Sequence, residues 1–362
     1  MKMKIVSVTI LTVLLVCMSS PVLDIHSVRA SGTIYIRANG LVDGTDRIQH
    51  DGLIYTFIGN ISDSIVVERS NIVVDGAGYA LRGTGIGKGI DLSGRTHVTV
   101  RSMRIEGFAD GIWLSGSTYS NITANTLTSN YDDGVDLRDS SDYNSIVGNN
   151  ITDNHQDGIE LWSSSHNSIA ENSISQNHLH GVWTYDNSNY NDISRNTISE
   201  NHYDGIDLLS SSNYNTVNNN TVENNHDDGI TILSSSYNSV YQNQFINNTN
   251  QVNTDSLIST WDEGYPSGGN FWSDYNGTDI YSGPYQNVTG HDGIGDTPYI
   301  INSKNQDRFP LVPESAGGFG LTPLMIVTVV IVVCIVAATL LILRRRRPSA
   351  ASPPPPPPPP PT

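Results

Sequence analysis

A glycine stands before an aliphatic residue at nearly constant spacing, at Gly89, Gly111, Gly134, Gly158, Gly181, Gly205 and Gly229. The steps are 22, 23, 24, 23, 24 and 24 residues. A fixed period of this size marks stacked repeats rather than an ordinary globular core. Three aliphatic columns keep the same step. One runs Ile122, Ile146, Ile169, Ile193, Val217 and Val240, and a second Leu127, Ile151, Ile174, Ile198, Val222 and Phe245. The third follows the glycine: Ile112, Val135, Ile159, Val182, Ile206 and Ile230. Each repeat thus holds three short Ile/Val-rich stretches parted by Asn, Gly and Ser, which reads as strands and turns.

One such repeat cannot bury its apolar residues alone. Stacked at about 4.8 Å per turn, each strand pairs in parallel with its copies above and below, and the inward residues form one continuous core. The expected fold is all-β, a right-handed parallel β-helix of about eight turns and about 40 Å. A leucine-rich repeat competes at this period, but it needs a Leu-dominated pattern with one strand per repeat. Two Asn columns, beginning at Asn125 and Asn130, are expected to take the left-handed conformation at the bends and to stack their amides. A Tyr column (Tyr119, Tyr143, Tyr190, Tyr214, Tyr237, with His166 once) is expected to stack as well.

The ends differ in kind. Lys2 and Lys4 precede an apolar run, Ile5 to Val16, and Val28-Arg29-Ala30 offers a cleavage site, so residues 1–30 read as a signal peptide. Leu324 to Leu343 carries no charge over 20 residues, enough for a transmembrane helix. Arg344 to Arg347 follow it and belong on the cytoplasmic side. The expectation is a single-pass protein of the cell membrane, its ectodomain outside and residues 344–362 an Arg/Pro-rich cytoplasmic tail. Pro353 to Pro361 form a polyproline II segment there, either a spacer or a ligand for a partner's aromatic groove. Between the ends lie a lead-in segment (31–59), the β-helix (60–250), a Trp/Tyr/Gly-rich C-terminal cap (251–313) and a linker (314–323).

The only cysteines, Cys17 and Cys334, fall in the signal and the span, so the ectodomain has no disulfide or thiolate site. Residues 31–320 hold 12 basic against 35 acidic residues, a net charge of −23. Such a surface repels phosphate backbones, which excludes nucleic acid as a partner.

The Asn–Gly–Ile columns over about residues 60–250 resemble the parallel β-helix repeats of the NosD-like family. Asp63–Gly83, Gly269–Tyr275 (GNFWSDY), Asp292–Tyr299 (DGIGDTPY) and Asp307–Leu311 (DRFPL) resemble segments of its archaeal cell-surface members. The resemblance implies the fold and a part in extracytoplasmic copper delivery.

Four chemistries compete for the surface. Directly after the third aliphatic column, the outward positions are Trp113, Asp136, Glu160, Trp183, Asp207 and Thr231, and two residues on stand Trp162 and Tyr185. Carboxylates beside flat rings suit sugar hydroxyls and sugar faces, so this row is the candidate site for glycans or other envelope polymers. The same carboxylates, Asp136, Glu160 and Asp207, are the catalytic candidates if the protein is a polysaccharide hydrolase. Asp132-Asp133 and Asp227-Asp228 resemble the acidic pairs of polygalacturonases, whose Gly-His-Gly and Arg-Ile-Lys elements are absent here. His155, His178, His202 and His226 make a column that, joined by His180, is the candidate copper or zinc site; with one ectodomain Met and no Cys, soft Cu(I) ligands are nearly missing. Asp292 and Asp296, in a Gly-rich loop, are the calcium candidates. The leading reading is a non-enzymatic, membrane-anchored surface protein that contacts glycans. Copper handling and hydrolysis stand as the alternatives.

Overall fold

The computed structural model describes residues 32–312. The expected signal peptide, linker, membrane span and tail lie outside them. Among the described residues no helix is long and apolar enough to cross a membrane. Their regular structure is strand throughout, in three long sheets of 11, 10 and 9 strands. Successive turns contribute one strand to each sheet, giving a parallel β-helix of the right-handed type usual for parallel crossovers.

Sheet 1 holds the strands that follow the glycine column, such as Val135–Arg138, Ile159–Trp162 and Val182–Tyr185. Its register joins Ile112, Val135, Ile159, Val182, Ile206 and Ile230 in one line. Sheet 2 joins Ile122 to Val240 and sheet 3 joins Leu127 to Phe245 in the same way. All three columns are fully buried. They form a single core running the length of the stack, which closes the hydrophobic face that no single turn could cover.

The stack starts earlier than the periodic columns do. Ile34–Ile36 already pairs in parallel with Ile65–Val67, and that strand pairs with Lys88–Asp91. The segment expected as a lead-in therefore supplies the first turn. At the other end Asn250–Thr254 continues sheet 1, so the sheet has ten parallel strands where eight turns were expected. Phe271–Trp272 likewise extends sheet 3.

The asparagines of the columns stack their amides as expected, but they do not take the left-handed conformation. The left-handed residue at each bend is the one before the Asn: Ala124, Glu171, Arg195 and Asn219 in one corner, and Ser129, Asp153, Gln176 and Glu200 in the next, all with φ between 54° and 58°. The Asn itself is buried and bonds along the stack. Asn172 Nδ2 donates to Ile146 O (2.8 Å) and Asn196 Oδ1 (3.0 Å), while its Oδ1 accepts from the backbone N (2.9 Å) and Nδ2 (3.0 Å) of Asn149. A side chain that reads the next turn's amide fixes the bend and leaves its neighbour to absorb the positive φ. A third buried column, Asn144, Asn167, Asn191, Asn215 and Asn238, follows the Tyr column, whose rings stack at centroid spacings of 4.7–5.2 Å from His97 to Tyr237.

The repeating glycine is required by close approach, not by φ. A Cβ on Gly181 would lie 2.4 Å from Ile198 Cγ2 and 2.6 Å from Gly205 O. The C-terminal segments lock onto the last turn. Asn270 extends the first Asn ladder, accepting from Asn243 Nδ2 at 2.9 Å, and Asp307 Oδ2 accepts from Asn270 N (2.7 Å) and Trp272 Nε1 (2.9 Å). Two of the family-like segments, around Trp272 and Asp307, thus meet in the cap.

Candidate functional site

The outer face of sheet 1 carries the polar row in register. Trp113 pairs with Asp136, Asp136 with Glu160, Glu160 with Trp183, Trp183 with Asp207 and Asp207 with Thr231. Outward position does not mean exposure, however. Asp136, Glu160 and Asp207 are 0, 3 and 4 % exposed, where open carboxylates were expected. The residues before each glycine pack beside them: Asp110, Asp133, Asp157, His180, Asp204 and Asp228 occupy one position of the repeat. Asp133 and Asp204 each accept from the backbone N–H of the next residue up their file, at Asp157 N (2.8 Å) and Asp228 N (2.9 Å) respectively. The file is buried except for half-buried His180.

Burial governs the electrostatics. It pushes the Asp136 carboxyl up to about 8, helped by Glu160 and opposed by Arg138. It raises Asp207 to about 8 against the pull of His180, and Asp110 and Asp204 to about 6. Asp133 and Glu160 are also raised, first by burial. Arg138 relieves the row. Arg138 Nε lies 2.8 Å from Asp136 Oδ2, and its Nη2 lies 2.7 Å from Glu160 Oε2. Burial draws the His180 imidazole down, but its hydrogen bond to Asp157 and the charges of Asp157, Asp207 and Asp204 outweigh that, and the net shift is upward.

The relief is incomplete. Glu160 Oε1, Asp207 Oδ1 and Trp113 Nε1 are buried without a hydrogen-bond partner among the described residues. A buried polar atom left without a partner costs about 1–3 kcal/mol.

Aromatic rings flank the row. Trp183 stacks on Tyr185 at 5.1 Å, and Trp162 meets both edge-on, at 6.3 Å and 5.2 Å. Arg138 lies over Trp113 at 5.3 Å and over Trp162 at 5.1 Å, and Lys88 over Trp113 at 3.3 Å. Trp162 is the most open of the row's tryptophans.

The other candidates lie elsewhere. His155, His178, His202 and His226 follow Tyr131 in a column with centroids 4.7–5.2 Å apart, stacked at its ends and tilted by 56° and 53° about His178. His155 Nδ1 and His226 Nδ1 bond the backbone carbonyls of Asn130 and Asn201. Among the described residues, no group of three or more potential ligand atoms within 4.8 Å includes this column. His180 leaves it and joins Asp204 and Asp207 instead. In the cap, Asp292 accepts from Gly283 N and Ile294 N, and Asp296 from Ile280 N, Tyr281 N and Thr278 Oγ1. Those carboxylates close turns with the lone pairs a calcium ion would use.

Sequence reasoning missed that His180 shares a file with Asp133, Asp157 and Asp204. The signal was present: His180 precedes Gly181 as each of these aspartates precedes its own glycine.

These features define a parallel β-helix protein with an acidic, aromatic-edged face on one sheet. Residues 29–195 and 69–277 match the family described as Periplasmic copper-binding protein (NosD), so more than half of the chain is covered and the chain belongs to that family. No curated protein matches it. Among solved structures, the Azotobacter vinelandii mannuronan C-5 epimerase AlgE4 A-module is similar at 15 % identity, over 57 % of this chain and 63 % of that one, with a TM-score of 0.52. The periplasmic alginate epimerase AlgG is similar at 16 % identity over 62 % and 72 %, with a TM-score of 0.46. The likeness to the A-module is one of fold.

The family description implies copper. Met103, the one thioether among the described residues, is packed in the core, and they contain no Cys. These residues do not suit Cu(I), whereas imidazole with carboxylate suits a divalent ion.

Proposed function

We propose that this protein is anchored in the cell membrane by residues 324–343 and uses the sheet 1 groove to hold a glycan of the cell envelope without cleaving it. The observation that carries the reading is the aromatic edge. Trp162, Trp183 and Tyr185 present ring surface beside Arg138, on a straight sheet that repeats along the stack. Flat rings stack on sugar faces, and half-buried Arg138 offers donors to hydroxyls. With a net charge of −23 on residues 31–320, the groove favours a neutral or amine-bearing glycan over a polyuronate.

A non-enzymatic role is supported by the state of the catalytic candidates. Asp136 and Glu160 are held by one guanidinium and buried, which leaves neither free to attack or protonate a glycosidic oxygen. Family membership favours extracytoplasmic copper handling as a second reading. The test is retention of the full chain on immobilised neutral polysaccharides. Trp162→Ala with Tyr185→Ala should weaken retention about tenfold. No retention on any glycan would refute binding, and release of reducing ends would replace the reading with hydrolysis.

A further inference from the structure

In the file of residues before the glycines, one imidazole interrupts a run of aspartates: Asp133, Asp157, His180, Asp204, Asp228. Its neighbours orient it. Asp157 Oδ1 accepts from both the backbone N (2.8 Å) and Nδ1 (2.9 Å) of His180. A proton on Nδ1 leaves Nε2 with a free lone pair. That nitrogen stands 3.7 Å from Asp207 Oδ2 and 3.9 Å from Asp204 Oδ2, beyond hydrogen-bond reach. The ligand atoms of the three residues lie within 4.8 Å of one another. Asp207, 4 % exposed, turns a carboxylate into this space whose Oδ1 has no partner among the described residues.

A divalent ion about 2.0–2.2 Å from each donor has ligand edges of about 3–3.5 Å, so small side-chain movements would close the observed gaps around it. The Asp157–His180 pair has the form in which an outer carboxylate fixes the tautomer of a metal-binding histidine.

We propose that His180, Asp204 and Asp207 bind one divalent transition-metal ion, with Asp157 as the positioning residue. One imidazole nitrogen and two carboxylates suit zinc(II) or copper(II) better than calcium, which prefers oxygen alone. The bound ion gives the Asp207 carboxylate a partner and offsets the charge of Asp204 and Asp207. The inference does not rest on glycan binding, and it places the ion away from the column of His155, His178, His202 and His226.

The test is calorimetric titration of the EDTA-stripped full chain at pH 7.5 with zinc chloride, then copper(II) chloride, then calcium chloride. One zinc or copper ion per chain is expected. His180→Gln and Asp207→Asn should abolish the heat, Asp157→Asn should weaken affinity about 10–100-fold, and His178→Ala should change nothing. Far-UV circular dichroism of each metal-free variant checks folding. Should His180→Gln fail to fold, Asp157→Asn carries the test, because it removes no proposed ligand. No binding by the native chain would overturn the proposal and leave His180 as an ion-paired imidazolium. Zinc binding unchanged in His180→Gln, or calcium binding as tight as zinc, would overturn it too.

Discussion

Two sets of buried polar columns run the length of this solenoid, and they are built to opposite standards. In the corner ladder, Asn172 makes four hydrogen bonds to the turns above and below, and Asn149 and Asn196 repeat the pattern. In the sheet 1 row, on the same turns, Asp207 and Glu160 each keep a buried oxygen without a partner among the described residues. Satisfied buried polarity specifies structure; half-satisfied polarity lowers stability, as it also does where the third Asn column leaves Asn167 Nδ2 and Asn215 Nδ2 without a partner among the described residues. The ladder holds the fold, and the row is the place where we propose that a ligand binds.

The comparison breaks first if the ladder proves dispensable. Asn172→Ala leaves the Asn149 backbone N–H without its acceptor and takes a donor from Asn196 Oδ1 and from the Ile146 carbonyl, so chemical denaturation should show a loss on the order of 3–5 kcal/mol. A loss below about 1 kcal/mol would mean that water replaces the ladder. Gly181→Ala comes next. Its Cβ would meet Ile198 and the Gly205 carbonyl, and strain of about 1–3 kcal/mol should appear in the same assay.

pH sharpens the contrast. Asp136 is pushed up to about 8 in the folded chain, against about 3.9 when unfolded. Between these values the folded state holds the extra proton, so the contribution is full below about pH 4 and is lost as pH rises to about 8. Asp136→Asn removes this dependence. Its melting temperature relative to the native chain should therefore climb from pH 5 to pH 8.5, and a flat difference would show that Arg138 already keeps Asp136 ionised. The smallest effect belongs to the exposed stack: Tyr190→Ala should cost about 0.5–1.5 kcal/mol in denaturant melts.

Much of the fold was legible because its causes are periodic. Ile122 to Val240 and Leu127 to Phe245 repeat by residue type, and a column of β-branched residues fixes strand, face and register together. The first turn was not legible, because Ile34–Ile36 and Ile65–Val67 pack in the core without the Gly and Asn that mark later bends. The Asn role was half legible. Composition pointed to the corners, but whether Asn125 or Ala124 carries the positive φ depends on the amide's partner one turn away. The site suffered the same limit. Alternation placed Asp136, Glu160 and Asp207 on the outer face, yet it says nothing of what lies over that face. Asp133, Asp157 and His180 supply that cover, and grouping His180 with His178 by residue type hid its place in the aspartate file.

The most direct test of the account is the thermal unfolding of Asp207→Asn in metal-free buffer at pH 8. If the Asp207 carboxylate is held in the groove at a cost to the fold, removing its charge should raise stability by about 1–2 kcal/mol. That is the opposite sign to Asn172→Ala. A lower melting point for Asp207→Asn would show that its charge stabilises the fold, and would contradict the division between a structural ladder and a row kept for a ligand.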